Sequence, residues 1–82
     1  MTRIVQRDDG RLVYRGDLLR GDLFIVPPYY VSICGMKGIV LDLYDGQPDE
    51  NDDIYEHCRC MLENGEFENI ATWDLTKVES RQ

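Results

Sequence analysis

Apolar and polar positions alternate along this chain in short stretches of period two, separated by glycine, proline and acidic clusters. That is the pattern of an all-β domain. "TRIVQRDDGRLVYRG" carries Asp9-Gly10, a favoured two-residue turn because glycine takes positive φ without a Cβ clash. Closing there pairs Asp8 with Arg11, Arg7 with Leu12, Val5 with Tyr14 and Ile4 with Arg15. Val5, Leu12 and Tyr14 then share one face, while Ile4, Val13 and charged residues share the other. Both faces are mixed, which predicts an edge hairpin or arm rather than a central strand.

"GDLFIVPP" predicts a short strand over 22–26, stopped by Pro27-Pro28, which lack ladder donors. "YYVSICGMK" reads as an irregular extended loop. "GIVLDLY", residues 38–44, is the strongest strand signal, rich in β-branched and apolar side chains. "DGQPDENDD" has Gly, Pro and five acids without one apolar residue, and predicts a loop. Residues 72–75 predict a tight turn and "TKV" a short closing strand.

"IYEHCRCML" supports two readings. As a helix, Asn51 caps it, Asp52 and Asp53 suit its positive end, and Ile54, Cys58, Met61 and Leu62 form an apolar stripe. As a strand it ends at Asn64-Gly65, a strong hairpin signal, and "EFENIA" returns. Closing on that dipeptide pairs Leu62 with Phe67, Cys60 with Asn69 and Cys58 with Ala71. His57, Arg59, Met61 and Glu63 fall on the reverse face, with Arg59 diagonal to Glu68. The strand sorts its side chains more cleanly than the helix.

Eighty-two residues make one domain, and a hydrophobic share of 43% supports a thin core. No stretch approaches the roughly 18 apolar residues of a membrane span. The N-terminus lacks the roughly 7–15-residue apolar region of a signal peptide, so a cytoplasmic protein is expected. Three cysteines argue against a disulfide framework. Cys58 and Cys60, about 6.5–7 Å apart on one strand face, do not bridge each other. A bridge from Cys34 to either is open geometrically and opposed by a reducing compartment. The formal charge of −7 repels phosphate backbones and anionic lipid. Arg3, Arg7, Arg11, Arg15 and Arg20 hold five of the nine bases, so the chain is polarised, basic first and acidic later.

The order of these elements resembles the small SH3-like (KOW-type) barrels, including the short barrel proteins of tailed phages. "GDL" at the first strand, "MKGIV" at the second, "ENGEFE" at the third turn and "DLTKV" at the end carry the resemblance. It implies a five-stranded SH3-like barrel over 21–79; the additional N-terminal β-hairpin over 1–20 departs from that pattern, and a disordered tail is expected at 80–82. It also implies a non-catalytic binding or assembly module, such as a phage accessory protein that binds a host or virion protein.

Candidate chemistry is sparse. In the strand reading, alternation sends His57 to one face and Cys58 and Cys60 to the other, so the three do not converge on one metal. The thiols then read as small core residues. In the helix reading His57 and Cys60 are neighbours and a metal site becomes less remote. Asp49, Asn51 and Asp53 have the alternate spacing of a calcium loop, but Ile54 replaces its glycine and Cys60 its bidentate glutamate. No nucleophile–base pair, phosphate loop or apolar carboxylate pair is present, so neither catalysis nor a cofactor is expected.

The expected partner-binding surface combines Tyr29, Tyr30 and Tyr44 with the acids Asp45, Asp49, Glu50, Asp52 and Asp53, directed at a protein with a basic surface. Tyr29 and Tyr30 stand out because the loop after the first strand of SH3-like barrels often lines a ligand groove. Trp73 is expected to complete the core. A second reading is an acidic mimic of nucleic acid that inhibits a nuclease or DNA-binding enzyme. A ring-forming virion component and a KOW-like nucleic-acid binder using the arginines are the remaining alternatives.

Overall fold

The computed structural model describes residues 3–78. The tail expected at 80–82 lies outside the described residues, as do both outer limits, 1 and 79, of the two expected units. Among the described residues seven strands form: β1 (Arg3–Gln6), β2 (Leu12–Arg15), β3 (Leu23–Ile25), β4 (Lys37–Asp45), β5 (Ile54–Leu62), β6 (Phe67–Ala71) and β7 (Thr76–Lys77). A 3-10 turn, Thr72–Asp74, separates the last two. The protein is all-β with a sheet curled into a half-barrel. Among the described residues no helix is long and apolar enough to cross a membrane.

β5 settles the ambiguous segment. It is a strand, and its even-numbered residues are buried while Arg59 and Met61 are exposed. β4 pairs along one edge of β5, from Leu62 opposite Gly38 to Glu56 opposite Asp45. A bulge between Val40 and Asp42 lets Val40 and Leu43 both turn inward. The other edge is shared. His57 to Met61 carry β6 antiparallel, whereas Ile54 and Tyr55 carry β2 in parallel. β3 pairs β4 and β7, so the last strand returns to the third.

The core is built from Leu18, Phe24, Val26, Val40, Cys58, Cys60, Leu62 and Ile70. Phe24 is wholly buried, and a side chain of that kind contributes roughly 1.5–3 kcal/mol by leaving water.

Both hairpins differ from expectation by one residue. The observed pairs are Val5 with Val13 and Ile4 with Tyr14, and, in the second hairpin, Met61 with Phe67 and Cys58 with Ile70. Each loop has three residues rather than two. Arg7 N–H donates to the Arg11 carbonyl and Gly10 N–H to the Arg7 carbonyl; Leu62 N–H donates to Glu66 and Gly65 N–H to Leu62. Gly10 and Gly65 both sit at φ +87°, the left-handed residue that closes a type I turn with a bulge. A one-residue slip exchanges which side chains face each other. Val5 therefore shares a face with the fully buried Val13, Cys58 meets Ile70, and Arg59 lies opposite Asn69 instead of diagonal to Glu68.

The N-terminal hairpin forms one edge of the sheet, with β1 outermost and β2 hydrogen-bonded beside β5, and Leu18 enters the core. One further expectation is corrected. The segment after Pro28 is a run of turns, not an extended loop, closed by bonds such as Ile33 N–H to the Tyr30 carbonyl.

Candidate interaction surface

The parallel pairing of β2 with β5 decides what meets on the outer side of the sheet. Val13 and Ile54 point inward and are buried, so their successors Tyr14 and Tyr55 point outward together. Their rings stack at 4.9 Å between centroids, 18° from parallel. Trp73, from the 3-10 turn, stands nearly perpendicular to both, at 5.1 Å from Tyr14 and 6.4 Å from Tyr55. Trp73 is thus half-buried in an outer aromatic cluster and not part of the core.

The same pairing brings the acidic loop to this cluster. Asp53 directly precedes β5, and burial together with the nearby Asp53 and Asp49 carboxylates pushes the Tyr14 hydroxyl up from its ordinary value of 10.0. Asp49 organises the loop, its Oδ1 accepting from the Asn51 N–H at 2.9 Å and the Asp53 N–H at 3.0 Å. Asp52 holds φ at 62°, and Glu50 is exposed. An open cleft of about 540 Å³ separates residues 9–12 of the hairpin turn from residues 51–53.

The arginines of the hairpin face these acids. Arg15 Nη2 lies 3.4 Å from Asp45 Oδ1, and Arg11 Nη2 lies 3.9 Å from Asp52 Oδ1. Pairs this exposed contribute little stability, but they partly offset the loop's charge. The polarity along the sequence is therefore folded back on itself.

Tyr29 and Tyr30 lie against Asp74, the neighbour of Trp73 in the 3-10 turn. Tyr30 donates to Asp74 Oδ2 at 3.2 Å and packs on the core; burial first, then Asp74, pushes its hydroxyl up to about 12. Tyr29 is 63% exposed, its ring 5.3 Å from that of Tyr30, and its hydroxyl is also raised by Asp74. Tyr44 stacks on His57 at 5.8 Å and donates to Asn69 Oδ1 at 3.1 Å. The expected site residues thus divide into the loop with Tyr14, Tyr55 and Trp73, the Tyr29–Tyr30 pair, and the Tyr44–His57 stack.

His57 Nδ1 is 2.8 Å from the Tyr55 carbonyl, a contact that needs the proton on Nδ1. Cys58 and Cys60 are buried on the opposite face, where the Cys60 sulfur and burial push the Cys58 thiol up. Cys34 is exposed, and all three cysteines are free.

A second outer surface is apolar. Leu23, Ile39, Met61 and Phe67 stand opposite one another across four consecutive strands, β3 to β6. Phe67 is 56% exposed, with the Arg59 guanidinium 5.3 Å above its ring.

Tyr14, Tyr55 and Trp73 as a unit were not anticipated from the sequence. The signal was the shared dyad Val13-Tyr14 and Ile54-Tyr55, apolar then aromatic, which matches only if the two strands run side by side. Compared with known proteins, the chain matches no family model, no curated protein and no solved structure.

Proposed function

We propose that the chain is a non-enzymatic protein-interaction or assembly module on an SH3-like barrel, binding a partner with a basic surface. The order of β3 to β7 supports the barrel reading: four strands in sequence, a 3-10 turn, then a short strand returning to the first of the set. The observation that carries the functional reading is the acidic loop seated beside Tyr14, Tyr55 and Trp73. Aromatic rings offer large contact area at low entropy cost and attract cationic groups, while the carboxylates orient a basic surface.

Mimicry of nucleic acid is the weaker reading, because Asp45 and Asp52 already face Arg15 and Arg11. Capture of binding proteins by the wild-type chain and by Asp49→Asn/Asp53→Asn separates the outcomes. Loss of one defined protein in the variant supports the proposal; an identical set of captured proteins contradicts it. A captured nuclease or DNA-binding enzyme whose activity is blocked would favour mimicry.

A further inference from the structure

Among the described residues the edges of β1, β6 and β7 are unpaired, and those of β1 and β6 carry opposite charge. β1 stands at one end of the order β1-β2-β5-β4-β3-β7, and all four of its residues are exposed. Because Arg7 N–H bonds to the Arg11 carbonyl, the alternation of an antiparallel ladder turns the N–H and C=O of Ile4 and Gln6 away from β2. Because Leu62 N–H bonds to the Glu66 carbonyl, the same alternation turns those of Phe67 and Asn69 away from β5. Among the described residues, no strand lies beyond β6.

Open edges are usually guarded by proline, a bulge, a charge in mid-strand or a covering segment. β1 has none of these in its middle, and Ile4 and Val5 are 59% and 38% exposed. Its charges, Arg3 and Arg7, flank the apolar pair, whereas Glu66 and Glu68 mark the β6 edge. Pairing β1 with a second β1 through Ile4 and Gln6 would set Arg3 opposite Arg7, a repulsive arrangement.

We propose that β1 of one copy adds antiparallel to β6 of a second copy. Ile4 then faces Ala71, Val5 faces Ile70, Gln6 faces Asn69 and Arg7 faces Glu68. Every position finds a like or complementary neighbour. Val5 lies on the side of its sheet that buries Val13, and Ile70 on the core side of its own, so the two inner faces align. Arg7 is only loosely held in its own copy, 3.9 Å from Asp9. The contact joins two different surfaces, so it yields a ring, a chain, or a dimer in which both contacts form reciprocally.

Sedimentation velocity over a range of concentrations, on wild type and four variants, tests this. Gln6→Pro removes an outward N–H while leaving the β1–β2 bonds, which run through Val5 and Arg7. Arg7→Glu and Glu68→Arg each set like charges against one another, and the double variant restores the pair in reverse. Expected are species heavier than the monomer for wild type, their loss in each single variant, and their return in Arg7→Glu/Glu68→Arg. A wild type that is monomeric at every concentration overturns the proposal. So does association that the single reversals leave unchanged, or that the double variant fails to regain. The charge reversals decide the matter even if Gln6→Pro perturbs the hairpin.

Discussion

The Thr72 hydroxyl lies 2.8 Å from Glu56 Oε1, with both residues buried, and accepts the Gly16 N–H at 3.0 Å. Three stretches distant in sequence are tied by this one oxygen: the exit of β2, the middle of β5 and the 3-10 turn. Arg15 Nε, 3.9 Å from Glu56 Oε2, completes the group. A β-carbon at Gly16 would overlap the Thr72 carbonyl, so the approach requires glycine. Thr72→Val keeps the shape and orphans both partners, and should destabilise the protein by about 1–3 kcal/mol in denaturant unfolding. Thr72→Ser should recover most of that loss.

The three-residue loops make Gly10 and Gly65 sensitive in the same way. Each holds φ +87°, where an L side chain costs about 1–2 kcal/mol. Gly65→Ala should lower the unfolding midpoint accordingly with an unchanged m-value, and Gly65→Asn should cost less, because Asn tolerates this region. Equal stability of Gly65→Ala and wild type would contradict a left-handed residue at this position.

Tyr30 sets an alkaline limit. Its folded pKa is raised from 10.0 to about 12, by burial and then by Asp74. Below pH 10 both folded and unfolded chains hold the proton and stability is intact. Between about pH 10 and 12 the unfolded chain ionises first, so stability falls as pH rises. Tyr30→Phe should lose the Asp74 hydrogen bond at neutral pH and show a shallower decline above pH 10, read from denaturation midpoints against pH. Tyr29 and Tyr14 shift in the same direction and steepen the wild-type decline.

The proposed partner contact is electrostatic at its rim and aromatic at its centre. Raising salt should weaken it partially, because exposed carboxylates are screened while ring burial is not. Trp73→Ala should weaken it at every ionic strength. Binding abolished by salt alone would move the reading towards charge mimicry.

Local chemistry made the strands legible. Alternation located β5 to the residue, whereas the strands before Pro27-Pro28 and after Asn64-Gly65 came out shorter than expected, at Leu23–Ile25 and Phe67–Ala71. Registers were not legible, because Asp-Gly and Asn-Gly serve a two-residue loop and the end of a three-residue loop alike. The parallel pairing of Val13 with Ile54 left no local trace either, since two short strands 41 positions apart carry no turn between them. That pairing seats the acidic loop beside Tyr14. The expected site residues were reasonable surface candidates; their grouping depended on a long-range contact.

Amide chemical-shift mapping of the captured partner titrated into the labelled chain tests the interaction account most directly. Shifts are expected to concentrate at residues 11–15, 45–55 and 72–74. Shifts centred on the Leu23–Ile39–Met61–Phe67 row or on residues 29–34, with the acidic loop silent, would contradict it.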